Sequence, residues 1–189
     1  MKLLLVVSYL ISSPLALQET LIQEAALKRA ALCERAHTTP DPKLLRDLLD
    51  MEIAFGVPTS LRGMVLAAAC HESGFNPHAK GDHKFSKKGK PKAIGLLQQW
   101  YWVEKFYMID RTDPRQAARA WLTHWQKSLK KVDKDCRFKS EERRWVAAQV
   151  TSVRRPAKDG KARCFQQSHH FRRYLKWRKL WEKYIQLVV

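Results

Sequence analysis

The chain has 189 residues, 45% of them hydrophobic and 10% aromatic, which fits one domain with a packed core and excludes a disordered tail. Its 36 Lys and Arg against 18 Asp and Glu give a formal charge of +18, so the surface attracts polyanions, whether nucleic acid, anionic lipid or an acidic envelope polymer. Four cysteines occur without a C-x-x-C, which excludes a zinc ribbon or a thioredoxin-type pair.

The chain opens MKLLLVVSYLISSPLALQ: one lysine, an apolar run from Leu3 to Ile11, then small and polar residues. The run is too short to span a bilayer, so no transmembrane anchor is expected. It reads as an export signal over residues 1–16, with a cut after Ala16 or, moved slightly, after Gln18; a buried N-terminal helix is the other reading. With a signal the protein is periplasmic or secreted, and envelope polymers displace nucleic acid as the expected partner. Four cysteines in an exported chain allow three pairings. Cys136 and Cys164 flank a predicted helix and suit a loop-closing bridge, whereas Cys70, inside an apolar helix, fits a small buried thiol as well as a bridge to Cys33.

Helical periodicity begins between Gln18 and His37, through Leu21, Ile22, Ala25, Ala26, Leu32 and Cys33. It resumes from Leu44 to Phe55 and stops at Gly56. Ser60 is the expected N-cap of a third helix, with Leu61, Met64, Val65, Ala68 and Ala69 on one stripe and Gly74 at its end. Pro77 to Lys92 is rich in lysine, glycine and proline, so an exposed loop or short hairpin is expected before the apolar Ala93 to Leu97. Asp113-Pro114 reads as an N-cap with proline at the first helical position. Ser140-Glu141-Glu142 opens a further helix, closed by Arg154-Arg155 and Pro156, and Phe171 to Ile185 forms the last. Most of the seven tryptophans read as core at helical spacing, but Trp100, Tyr101 and Trp102 are adjacent, so at least one must face elsewhere. The expectation is a mainly α single domain over 17–189, with 156–189 as a C-terminal helical extension. That extension closes the core and offers a basic surface through Arg172, Arg173, Lys176, Arg178 and Lys179.

The stretch A-C-H-E-S-G-F-N-P, Ala69 to Pro77, begins like the zinc motif H-E-x-x-H, but the second histidine would fall at Phe75. His71, His78 and His83 show no ligand pattern beyond this, so neither metal nor cofactor is expected. Glu72 instead continues the stripe of Val65, Ala68 and Ala69. A carboxyl there is drawn toward the protonated form by burial and by the negative helix end, the preparation a general acid needs; a structural glutamate paired with a Lys or Arg is the other reading.

Glu72-Ser73-Gly74-Phe75-Asn76-Pro77, a loop, and then Ala93-Ile94-Gly95-Leu96-Leu97-Gln98 resemble the paired E-S-x-F-N-P and A-x-G-L-M-Q motifs of lytic transglycosylases, which share a lysozyme-like fold with goose-type lysozymes. The resemblance covers Leu61 to Gln98 firmly and the helices out to Arg155 more loosely. It implies Glu72 as catalytic acid and base, Ser73 as a neighbour that hydrogen-bonds the site, Gly95 as a close approach of backbone to sugar, and Gln98 as a substrate-facing residue. The family's A-Y-N-A-G segment aligns with Ala148 to Ser152, where the Tyr-Asn pair is absent.

The implied reaction cleaves the β-1,4 bond between N-acetylmuramic acid and N-acetylglucosamine in peptidoglycan glycan strands, by a monomeric enzyme. Lytic transglycosylation needs one carboxylate. A hydrolysing lysozyme commonly adds a second, about 6.5 to 9.5 Å away in the inverting case, and Asp82 is its candidate, against a solvated partnership with Lys80 or Lys84. A cationic wall-binding protein without catalysis is a third outcome. Nucleic-acid binding returns only if the N-terminal segment is not a signal.

Overall fold

The structure, a computed structural model, describes residues 14–33, 39–85, 89–153, 164 and 169–188. Most of the expected export segment lies outside the described residues, as do Arg154-Arg155 and Pro156. The described residues form seven α-helices and one small sheet, a mainly α fold. No helix among them is long and apolar enough to cross a membrane.

Helix α1 (Pro14–Ala30) sends Ala26 and Ala30 into the core. Helix α2 (Pro42–Ala54) starts where the Asp41 carboxylate accepts the Lys43 amide at 2.9 Å, with Pro42 in the first turn where its missing N–H costs nothing. It buries Leu44, Leu45, Leu48, Leu49 and, among them, Glu52.

Helix α3 (Met64–Ser73) is the axis of the molecule, and it departs from the expected N-terminus. Thr59–Leu61 close a separate 3-10 turn, so Ser60 caps nothing; α3 begins after Gly63, whose left-handed φ of 86° turns the chain. The orphan amides of Gly63 and Val65 are taken by Glu52 of α2, at 2.6 Å for Val65. Every residue from Met64 to Cys70 is buried, so the helix is apolar all round rather than along one stripe. It packs against α2 on one side and α7 (His169–Val188) on the other, with α1 also on α7. Gly74 ends it at φ 59°, its amide and that of Phe75 returning to Cys70 and Ala69.

The lysine-rich stretch contributes the first strand of a three-stranded antiparallel sheet, and the apolar segment after it the second. β1 (Lys80–Gly81) pairs with β2 (Ala93–Ile94), which pairs with β3 (Gln99–Trp100) across the turn 95–98. The short helix α4 (Tyr101–Tyr107) follows at once and had no periodic signal of its own. Asp113 caps α5 (Pro114–Asp135) as expected, accepting the amides of Arg115 and Gln116. Helix α6 (Glu141–Val153) lies along α5, where Trp121, Trp125 and Trp145 stack edge to face at 5.1 Å intervals.

Two disulfides resolve the open pairing. Cys33–Cys70 ties the end of α1 to α3, and Cys136–Cys164 closes the segment that carries α6. The last helix, α7, is a wall of the core: Phe171, Tyr174, Trp181, Tyr184 and Ile185 are buried, and Trp181 meets Phe75 edge-on at 5.6 Å. Of the five basic residues expected on its surface, Arg172, Arg173, Lys176 and Lys179 are exposed. Arg178 is not part of that surface, because its guanidinium folds back to donate to the Arg62 carbonyl at 2.7 Å.

Candidate active site

Glu72 is the next-to-last residue of α3, where the all-apolar helix emerges from the core; it is half-buried. From α7, 102 residues away in sequence, the Tyr174 hydroxyl donates to Glu72 Oε1 at 2.8 Å. Burial first, and then the carboxylate itself, hold the Tyr174 phenol well above its ordinary value, so it stays a donor at any physiological pH. One oxygen of Glu72 is thereby fixed in direction. His71 lies beside this pair, its ring edge toward Tyr174 at 6.1 Å and Nε2 3.4 Å from an Arg173 nitrogen.

The Glu72–Tyr174 pair forms part of the wall of an open cleft of about 880 Å³, within the range of ligand sites. The sheet and the turns beside it supply Asp82, Gln98 and Trp100, α4 supplies Trp102 and Tyr107, and α5 supplies Trp121 and His124. Of the adjacent aromatics, Trp100 and Trp102 line the cleft and Tyr101 does not, which answers the question their adjacency raised. Such rings present flat apolar faces beside polar edges, a surface on which sugar rings can lie.

The structure brings Glu72, Asp82 and Gln98 to one cleft. Asp82 takes a left-handed φ of 57°, and its carboxylate accepts the Trp100 indole N–H at 2.7 Å, in place of the expected lysine partnership. Gln98, also left-handed at φ 47°, turns its amide back on the sheet, donating to the carbonyls of Ala79 and Gly95 at 3.0 Å.

Ser73 and Gly95 are placed differently from what the resemblance implies. Neither lines the cleft. Ser73 is 3% exposed; its hydroxyl bonds the Leu96 carbonyl at 2.8 Å, with the Ala69 carbonyl at 3.1 Å as second acceptor. It therefore ties the C-terminal end of α3 to the turn 95–98. Gly95 is buried with φ 86°, and a Cβ there would stand 1.9 Å from the Arg111 carbonyl oxygen. What approaches Gly95 closely is the chain's own backbone. Arg111 in turn donates to the carbonyls of Lys92 and Gln99 and pairs with Glu104 at 2.8 Å, holding sheet and α4 together.

Among the described residues, no three His, Cys, Asp or Glu side chains gather as metal ligands. His83, for example, turns Nδ1 to the Gly89 carbonyl at 2.8 Å. Sequence reasoning missed Tyr174, Tyr107 and His124. Tyr174 carried a signal, since a tyrosine on a buried stripe needs a partner for its hydroxyl and Glu72 was the carboxyl on the apolar face. Tyr107 and His124 carried none. No family model, curated protein or solved structure matches the chain.

Proposed function

We propose that the protein is an exported glycosidase that cleaves the β-1,4 bond between N-acetylmuramic acid and N-acetylglucosamine in peptidoglycan, with Glu72 as general acid and base. The observation that carries this reading is the Glu72 carboxyl in the wall of an aromatic cleft, one oxygen held by Tyr174. The motif order E-S-G-F-N-P then A-I-G-L-L-Q supports it. The mainly α fold is compatible with it, and Glu72 and Gln98, one from each motif, line the same cleft. Two disulfides agree with an oxidising, extracytoplasmic location.

Glu72, protonated, gives its proton to the bridging oxygen as positive charge develops at the sugar's anomeric carbon. Lytic transglycosylation is the first outcome. The resulting carboxylate removes the proton of the same sugar's 6-hydroxyl, whose oxygen closes on the anomeric carbon as a 1,6-anhydro ring. Proton and electron pairs balance without water, and one carboxylate serves both steps. Tyr174 suits this role, because a donor fixed on one carboxyl oxygen holds the group's orientation in the cleft wall.

Hydrolysis by water is the second reading, favoured by Asp82 in the same cleft. Its carboxylate is oriented by Trp100 and could activate a water. Digestion of purified sacculi followed by mass spectrometry separates the two: anhydro ends for the transglycosylase, reducing ends for the lysozyme. The Glu72→Gln protein should lose at least 1,000-fold in rate, on the order of 4 kcal/mol of barrier. Equal activity of that variant would falsify the assignment of Glu72, and its retained binding to sacculi without any cleavage by the wild type would identify a wall-binding protein.

A further inference from the structure

His124, on α5, makes two hydrogen bonds that fix where its protons are. Nε2 lies 3.0 Å from the Ser152 carbonyl of α6, and a carbonyl only accepts, so Nε2 carries the hydrogen. In the neutral ring Nδ1 is then bare, and it accepts the Tyr107 hydroxyl of α4 at 2.8 Å. Burial, the largest influence, and the nearby Lys127 ammonium hold His124 below the ordinary imidazole range, with the bond to Ser152 pulling the other way. The neutral ring is therefore the form present near pH 7.

The consequence falls on Tyr107. A phenol has one proton, and this one points to His124; burial raises the Tyr107 phenol above its usual range, so the proton is retained. What its oxygen offers a ligand is lone pairs alone. Tyr107 and His124 both line the cleft, and Trp102 stands edge-on to His124 at 5.4 Å.

Building on the reading of the cleft as a glycan site, we propose that Tyr107, oriented by His124, is an acceptor-only subsite that binds a donating group of the sugar, an acetamido N–H or a free hydroxyl. An ether oxygen, which can only accept, is refused there. The two sugars of peptidoglycan differ in this respect at the 3-position. N-acetylglucosamine has a free hydroxyl, whereas N-acetylmuramic acid carries a lactyl ether. Where the donor is the 3-hydroxyl, Tyr107 takes the glucosamine unit and sets the register of the alternating strand; where it is the acetamido N–H, which both sugars carry, Tyr107 holds either sugar.

The test measures binding of tri-N-acetylchitotriose and of cellotriose by calorimetry, in a Glu72→Gln background that prevents turnover. Adding Tyr107→Phe should weaken tri-N-acetylchitotriose about tenfold, the loss of one hydrogen bond. A loss confined to that ligand identifies the acetamido N–H as the donor, and an equal loss on cellotriose identifies a hydroxyl. Unchanged affinity for both overturns the proposal. A second readout needs no variant: nitrogen-15 correlation spectra of the His124 ring should show a protonated Nε2 and a bare Nδ1 at pH 7. A protonated Nδ1 overturns the proton assignment. Cleavage of sacculi by the wild type together with unchanged affinity in Tyr107→Phe sinks this inference alone. Neither binding nor cleavage by the parent sinks the glycan reading beneath it.

Discussion

Gly95 shows how a residue can matter to a cleft it does not line. Its left-handed φ of 86° disfavours any L side chain, and a Cβ would meet the Arg111 carbonyl oxygen at 1.9 Å, a backbone atom that cannot swing aside. Arg111 anchors both the sheet and α4, so the strain of a methyl group would spread to Trp100 and Trp102 in the cleft. Gly95→Ala should destabilise the fold by about 3 kcal/mol or more, combining the conformational cost with the clash. Urea unfolding followed by tryptophan fluorescence measures this, and a change under 1 kcal/mol would contradict the packing described. The sequence marks Gly95 as a place where something comes close, and it cannot say whether that is a ligand or the chain. Ser73 has the same ambiguity, because a buried hydroxyl bonding a turn and a hydroxyl bonding a sugar leave the same letter.

At the scale of the element, α3 is held at both ends by groups from other helices: Glu52 of α2 at its N-terminus and Tyr174 of α7 at Glu72. Glu52 is fully buried, and burial, opposed by the amides it accepts and by Arg178, pushes its carboxyl up from 4.5 to about 7. The sign of the linkage follows from proton uptake. Between about pH 4.5 and 7 the folded chain keeps a proton that the unfolded chain has released. This contribution to stability is therefore full below pH 4.5, declines as pH rises to about 7 and is flat above, a total of about 3 kcal/mol. In Glu52→Gln the decline should vanish, because the amide does not titrate. The variant should also lose about 1–3 kcal/mol at pH 5, since its NH₂ faces a backbone donor that Glu52 accepted. Unfolding midpoints in urea at pH 5, 6 and 8 decide it; an unchanged slope in the variant would remove Glu52 as the titrating group. The helices themselves were legible wherever local signals sufficed, as at Asp113-Pro114 and Gly74. The cap of α3 was not, since Glu52 stands 11 residues before Gly63 and only the crossing of α2 over α3 brings them together. Nor was α4, which is too short and too aromatic on every side to leave a period.

For the molecule as a whole, the cleft is assembled from segments far apart in sequence, and this is why its membership was half legible. Glu72, Asp82 and Gln98 come from one stretch with local motifs. Tyr174 and His124 come from helices whose tertiary placement brings them to that stretch. The cysteines pose the same problem, and their pairing yields the sharpest test of the fold. Cys33–Cys70 joins residues 37 apart and Cys136–Cys164 residues 28 apart, so loop closure alone predicts nearly equal stabilisation, about 4 kcal/mol each. Burial breaks the tie. Cys70 is completely buried within α3 and Cys33 nearly so, whereas Cys164 is half-buried. Replacing both members by serine leaves two hydroxyls in the core in the first case and fewer buried polar atoms in the second, each unsatisfied one costing about 1–3 kcal/mol. Cys33→Ser/Cys70→Ser should therefore lose more than Cys136→Ser/Cys164→Ser, by about 2 kcal/mol, and should also loosen α1, which the first bridge tethers to α3. Denaturant midpoints of the two double variants measure the difference. Protection of α1 amides from hydrogen exchange should fall in the first variant and hold in the second; the reverse order would mean that the first bridge does not secure the core around the cleft.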